Sequence, residues 1–402
     1  MLPIAPTAVQ RLDLPEAVAY AGRSVRSAER ELDGTPGTGP LLDATYANTH
    51  RFPAPAYALK AFTKAASGAG MTYTPYVGDS GVRATLAANI EKHLGFTATG
   101  TMGTILAPGT QGALFIALSA IIEPGDLVLL PDPDYLSTER TLRYLGAEVA
   151  HIPVLYEDID GRPVLDSEAL TRLATRKPKL FIFSHPNNPT GAVYADSTLE
   201  QIAALAVEHD FLVLADELYC RLVYDNEKFT HIANLGDMAK RTITTVGPSK
   251  TESLSGYRLG VAVAPNELIE RMEDIQSVTA LRAPAYAQHV LSHWLAEDVE
   301  YVSDRTKDYQ ALRDSTVEKL NASGLFSVSR SWGTSYIFPR LLVDASEQDV
   351  ALALKSRAGV IVNPGYQFGP RGVNHLRLCI AQDEADWASA LDRMIEVVRS
   401  FT

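Results

Sequence analysis

Between residues 103 and 265, short and nearly uninterrupted apolar runs alternate with longer stretches of helical periodicity. GTILAPG (103–109), DLVLLPDP (126–133), KLFIFSHP (179–186), FLVLADELY (211–219), TITTVGP (242–248) and RLGVAVAP (258–265) have the length and composition of strands. TQGALFIALSAII (110–122) and STLEQIAALAVEHD (197–210) have the length and periodicity of helices. A strand without polar alternation has no solvated face, so both of its faces must be covered. Strands separated by helices must be joined by crossovers. Together these constraints predict an α/β fold with a mostly parallel sheet between two layers of helices.

The C-terminal third follows another pattern. EYVSDRTKDYQALRDSTVEKLNAS (300–323) predicts a long helix, shorter strands are expected at SYIFPRLL, VIVNP and HLRLCIA, and a final helix begins near Glu384. This predicts a smaller α+β domain over 296–402, beside a large domain over 51–295. Residues 1–50 are expected to pack with the small domain.

The bulk numbers exclude several classes. With 402 residues the chain can bury a substantial core. A net charge of -12 disfavours non-specific nucleic-acid binding, which needs basic surface. No apolar run reaches the roughly 20 residues that cross a bilayer. Cys220 and Cys379 form no CxxC, which argues against a disulfide framework and a cysteine zinc site. The start, MLPIAPTAVQRLDLP, lacks the basic and apolar regions of a signal peptide. A cytoplasmic protein without a metal site is expected.

Ligands of open α/β sheets bind beyond the carboxyl ends of the strands. There the chain places Gly109–Thr110–Gln111, Asn187–Asn188, Asp216 and Ser249–Lys250. Asp216 ends an apolar run and should be buried, which demands a partner; alone it reads equally as a helix cap. Lys250 in VGPSKTESLSGYRLG is a nucleophile if desolvated, although an isolated lysine is usually a surface residue. Arg258 suits a phosphate because its fork donates two parallel hydrogen bonds. PGTQGAL opens a helix whose N-terminus favours an anion. In SHPNNPTGAVY the two prolines and the glycine fix a rigid turn that aims Asn188.

HPNNPTG, ADELY, SKTESLSGYRLG and HLRLCIA, in this order, resemble the class I/II aminotransferases, pyridoxal-phosphate (PLP) enzymes of fold type I. The resemblance runs from about Tyr73 to the end of the chain. It implies a three-layer fold in which Lys250 forms a Schiff base with PLP. Asp216 would pair with the pyridine nitrogen, and Asn188 and Tyr219 with the phenolic oxygen. Gly109, Thr110, Gln111, Ser249 and Arg258 would hold the phosphate, and Tyr135 would stack on the ring. Tyr73 would reach the neighbouring site of a homodimer, although it could equally be a core tyrosine. Arg377 would clamp the α-carboxylate of an amino acid substrate.

Some positions depart from the family pattern. His185 stands where asparagine is common, and Gly247–Pro248 where a serine or threonine often helps bind phosphate. Glu252 reads as a salt-bridged surface residue, or as one that tunes Lys250 or meets a basic substrate. In LLDATYANTHRFPAP (41–55), Tyr46, His50 and Arg51 are candidate pocket residues; a structural loop is the other reading. Arg282 is not assigned to an acidic side chain. Amino transfer to a 2-oxo acid is the first expectation. β/γ-elimination, replacement or cyclisation on the same site is the alternative, because sequence does not report which bond stands perpendicular to the cofactor plane. A regulator with an aminotransferase-like sensor is disfavoured by the acidic charge and by the short stretch before the matching region.

Overall fold

A computed structural model describes residues 8, 11, 41–68, 73–155 and 163–402. The strands of the main sheet are β2 (Met102–Pro108), β3 (Leu127–Asp132), β4 (Glu148–Leu155), β5 (Val164–Leu165), β6 (Leu180–Ser184), β7 (Leu212–Asp216), β8 (Thr242–Val246) and β9 (Leu259–Pro265). A two-residue strand, β1 (Leu42–Asp43), precedes them. Across the main sheet the order is β2-β9-β8-β7-β6-β3-β4-β5. The pairings from β4 through β3, β6 and β7 to β8 are parallel. β9 runs against both of its neighbours, and β5 runs against β4 at the edge.

The apolar runs are covered on both faces, as their composition requires. On one face Phe181, Phe183 and Val213 pack with Leu170 of α5 (Ser167–Ala174) and with Leu199 and Ile202 of α6 (Asp196–Glu208). On the other, Leu180, Ile182 and Leu214 pack with Leu114 and Ala117 of α3 (Thr110–Ile121) and with Met272 of α7 (Asn266–Val278). Helices α1 (Ala56–Ser67) and α2 (Ser80–His93) form a further cluster against Leu106, Val261 and Val263. Full burial of one such side chain contributes about 1.5–3 kcal/mol, so this double coverage dominates the stability of the sheet. β4 escaped the apolar-run criterion because Glu148, His151 and Pro153 interrupt it. Its residues alternate between buried and more accessible positions, as suits a strand near the sheet edge.

The C-terminal part builds a further core that also takes in Ala44, Phe52, Tyr219, Leu222 and Tyr224. Long helix α8 (Val299–Ala322) and final helix α9 (Glu384–Arg399) pack through Tyr309, Leu312, Trp387 and Leu391. They flank a small sheet in which β15 (Leu376–Cys379) lies between β11 (Tyr336–Ile337) and β14 (Asn363–Pro364). β10 (Phe326–Ser327) pairs with β12 (Arg340–Leu341). β1 pairs in parallel with β13 (Val360–Ile361). From the earlier N-terminus, Arg11 donates to the carbonyls of Arg143 and Tyr144 at 3.1 and 2.8 Å, on the large sheet's side. Otherwise the expectation for residues 1–40 lies outside the described residues. Among those described, no helix is long and apolar enough to cross a membrane.

Candidate functional site

Because β6, β7 and β8 are parallel, their carboxyl ends share one side of the sheet. A cavity of about 490 Å³ opens there. Thr110, Gln111, Tyr135, Asn188, Asp216, Tyr219, Lys250 and Arg377 line it, with Tyr46 from the segment after β1. Separate elements therefore converge on one space.

Lys250 projects from a loop braced on both sides. Arg305 donates to the Thr251 carbonyl at 2.8 Å and to the Ser253 hydroxyl at 2.7 Å. The Glu252 carboxylate accepts from Arg221 and from Trp294 Nε1, and Arg221 also donates to Asp298 at 2.7 Å. Glu252 is thus fully buried, not a surface residue. Burial pushes its carboxyl up to about 7, against the opposing pull of Arg221. Such a buried network is a weak source of net stability but fixes conformation when every partner is in place. Lys250 Nζ itself makes no hydrogen bond with a described residue, so the loop is held while the amine stays available.

Asp216 is the last residue of β7 and is buried. Burial pushes its carboxyl up to about 6; the Thr245 hydroxyl, which donates at 3.1 Å, and the charge of Lys250 restrain the shift, and Glu217 adds to it. Glu217 is directed instead to His231.

Arg377, in β15, carries the small sheet's contribution. Its Nη1 donates to Asn188 Oδ1 at 3.0 Å, and its Nη2 to the Thr45 carbonyl and to Asn363 Oδ1 at 3.1 and 2.6 Å. All of these partners are neutral. The guanidinium lies 4.0 Å from the Tyr336 ring centroid and 4.8 Å from that of Phe368, and its Nε is buried without a partner. A buried cation with neutral partners is poised for an anion.

At the other side, β2 turns into α3 through Gly109. Its φ of 81° is a left-handed value that favours glycine, and a Cβ there would lie 2.3 Å from Arg258 Nη2. Gly260 allows the same approach from β9, where a Cβ would fall 2.2 Å from the Gly109 carbonyl carbon. Arg258 therefore meets the helix N-terminus, donating to the Pro108 carbonyl at 3.3 Å. Thr110 Oγ1 and Gln111 Oε1 are buried without partners, and the buried Tyr219 hydroxyl neighbours that of Tyr336. This donor-rich turn beside unpaired polar atoms fits a phosphate with a polar ring next to it. A Cβ on Gly247 would lie 3.0 Å from Thr110 Oγ1, so the Thr110 hydroxyl occupies the space that a side chain at 247 would reach.

Several expected residues stand outside the cavity lining. Gly109 and Arg258 adjoin it at the helix turn, and Arg258 is exposed. Ser249 is buried and donates weakly to the Leu259 carbonyl at 3.4 Å. Tyr73 is 84% exposed, so it is not a core tyrosine; Arg282 lies 4.4 Å from its ring centroid. His50 and Arg51 do not line the pocket: Arg51 pairs with Asp308 at 3.6 Å, and the His50 amide donates to Asn48. His185 packs in the core, its ring 4.5 Å from that of Phe229. Burial pushes its imidazole down to about 3, so it is neutral and accepts from the Tyr194 amide at 3.2 Å.

Among the lining residues that escaped sequence reasoning, Tyr336 and Arg140 carry chemistry. Tyr336 looks like core in an apolar strand. Burial would raise its phenol, but Lys250 and Arg377 outweigh that and hold it below its usual range. Arg140 looks like one more charge on the solvated side of α4 (Leu136–Leu145), and nothing in its spacing marks it.

The family model for aminotransferase class I and II matches residues 43–394. An aromatic-amino-acid aminotransferase of Thermococcus litoralis is 32% identical over 85% of the chain and 88% of its own length. An aspartate/prephenate aminotransferase of Thermus thermophilus is 32% identical over 89% and 91%. Among solved structures, an aspartate aminotransferase from Rhodobacter sphaeroides superposes with a TM-score of 0.87 at 34% identity. It covers 94% of this chain and 96% of that one.

Proposed function

The chain belongs to the class I and II aminotransferases, PLP-dependent enzymes of fold type I, and we propose that its 490 Å³ cavity is where PLP and an amino acid meet. The observation that carries this reading is the convergence of Lys250, Asp216 and Arg377 on one cavity beside the Gly109–Arg258 turn. Lys250 would tether the cofactor, and Asp216 would pair with its ring nitrogen. Asn188 and Tyr219 would hold its phenolic oxygen, and Tyr135 would cover its face. Gly109, Thr110, Gln111, Ser249 and Arg258 would hold its phosphate. When bound, PLP supplies an electron-withdrawing ring that accommodates the electron pair left at the substrate α-carbon. Arg377 would orient the α-carboxylate, with Tyr46 at the mouth. Lys250 Nζ would then take the α-proton and return it at the acceptor carbon. Tyr336, whose phenol the charges of Lys250 and Arg377 hold below its usual range, would form part of the wall beside that amine.

With one L-amino acid and no acceptor, the holoenzyme should release one 2-oxo acid per site and stop, restarting when a second 2-oxo acid is added. Continuous release of ammonia or of a side-chain fragment would instead mean elimination, replacement or cyclisation. The relatives are named for aspartate, prephenate and aromatic substrates, which supports an anionic or aromatic amino donor.

Residues 51–295 and 296–402 form the proposed large and small domains. A core built mainly from C-terminal residues and the pairing of Leu42–Asp43 with β13 support that division, although Phe52, Tyr219, Leu222 and Tyr224 of the large domain share that core. Two free cysteines support a reducing, cytoplasmic setting. We also propose a homodimer in which Tyr73 serves the neighbouring phosphate site. Tyr73, Tyr76, Val278, Leu281 and Tyr286 are exposed apolar groups in support. Tyr73→Ala should weaken cofactor binding about tenfold, the scale of one hydrogen bond to a charged group. Mixing it with Lys250→Ala should regenerate sites of full affinity, since each hybrid then holds one intact pair. No regeneration would place Tyr73 in its own site or nowhere.

A further inference from the structure

Three cationic side chains line the cavity, and the roles above use only two of them, Lys250 and Arg377. The third, Arg140, sits on α4 one turn past Tyr135 and is half-buried. It makes no hydrogen bond or ion pair with any described residue. Its neighbour Glu139 is engaged elsewhere, accepting from Arg143 at 2.9 and 2.7 Å and meeting His151 at 3.1 Å. Burial pushes the Arg140 guanidinium below its usual value, and the groups that counter this, Tyr366 and Glu139, make no ion pair with it. The phosphate turn already has its own arginine in Arg258.

A half-buried guanidinium without a counter-ion is unfavourable until an anion arrives. Apart from Asp216, Lys250 and Arg377, whose roles are given above, the rest of the cavity lining around it is uncharged. Resting on the aminotransferase reading, we propose that Arg140 is a specificity residue that binds the side-chain carboxylate of an acidic amino acid substrate. Its planar fork suits two parallel hydrogen bonds to a carboxylate. An apolar or aromatic side chain would leave the charge unpaired, so selection works by rejection as well as by attraction.

The test is equilibrium binding to the holoenzyme of two unreactive acids of equal length, succinate and butyrate, followed by calorimetry. Succinate should bind roughly 10- to 100-fold tighter, the range for a hydrogen bond to a charged group. Arg140→Gln should erase most of that difference by weakening succinate alone. Arg140→Lys should restore part of it, as a point charge without the fork. Cofactor affinity should be the same in all three proteins. Equal binding of the two acids by the unmodified protein would overturn the proposal. So would a difference that survives in Arg140→Gln, or a loss of cofactor affinity that moves Arg140 to the phosphate. Failure of the aminotransferase reading would show separately, as no 2-oxo acid released from any amino acid.

Discussion

Lys250→Ala should lower amino-group transfer by roughly 10³-fold or more and remove the visible absorbance of the lysine-linked cofactor. Moving a proton through a positioned side chain is worth roughly 10²–10⁴-fold by itself, and the tether is lost with it. The fold should survive. Lys250 Nζ makes no hydrogen bond with a described residue, whereas its loop is held through Thr251, Glu252 and Ser253 by Arg305, Arg221 and Trp294. Thermal unfolding and circular dichroism should therefore match the parent within about 1 kcal/mol, the usual limit for a partly exposed side chain outside any network. A variant that keeps both the absorbance and the rate would remove Lys250 from the chemistry. A variant that unfolds would show that the amine is structural.

Asp216→Asn should divide activity from stability in opposite directions. Without a carboxylate beside the ring nitrogen, turnover should fall by roughly 10²–10³-fold, the scale of losing a preorganised electrostatic partner. The cofactor-free protein should behave otherwise. In it, burial raises the Asp216 carboxyl to about 6 from an ordinary 3.8. A raised carboxyl favours the folded state most below pH 4, where both states hold the proton. That advantage is lost as pH rises through 6. Between pH 4 and pH 8 the folded state therefore loses about 3 kcal/mol of stability through this group, the shift from 3.8 to about 6 at about 1.4 kcal/mol per pH unit. Asparagine can still accept from Thr245 and carries no charge. Cofactor-free Asp216→Asn should therefore be more stable than its parent at pH 8, and the gap should close towards pH 4. Urea unfolding at the two pH values measures this. A gap independent of pH, or absent at pH 8, would mean that the buried charge of Asp216 does not strain the cofactor-free fold.

The same opposition makes Asp216 recognisable in the amino-acid sequence. A charged residue ending an apolar strand is an unfavourable choice for stability, and a chain retains it for a partner that arrives later. Lys250, Asn188 and the Gly109–Gln111 turn are legible for a related reason. Parallel strands put their carboxyl ends on one side, so polar residues at those ends meet whatever lies between them. Gly109 is legible because a φ of 81° against an arginine tolerates little else.

Residues whose role depends on long-range packing are not legible. Glu252 and His50 are polar residues near the motifs, yet one is buried beneath the lysine loop and the other stays clear of the cavity. The burial of Glu252 is set by Arg221, Trp294 and Asp298, which lie 31 to 46 positions from it. Tyr336 and Arg140 carry no local signal, because an apolar strand and a charged helix look alike wherever they pack.

Local sequence therefore determined the alternation of elements, their double burial and the chemistry at the strand ends, since these follow from side-chain period and backbone stereochemistry. Only the tertiary structure decided which cations were left unpaired around the cavity. Pairing depends on the distance between side chains far apart in the chain, and no periodicity encodes that distance.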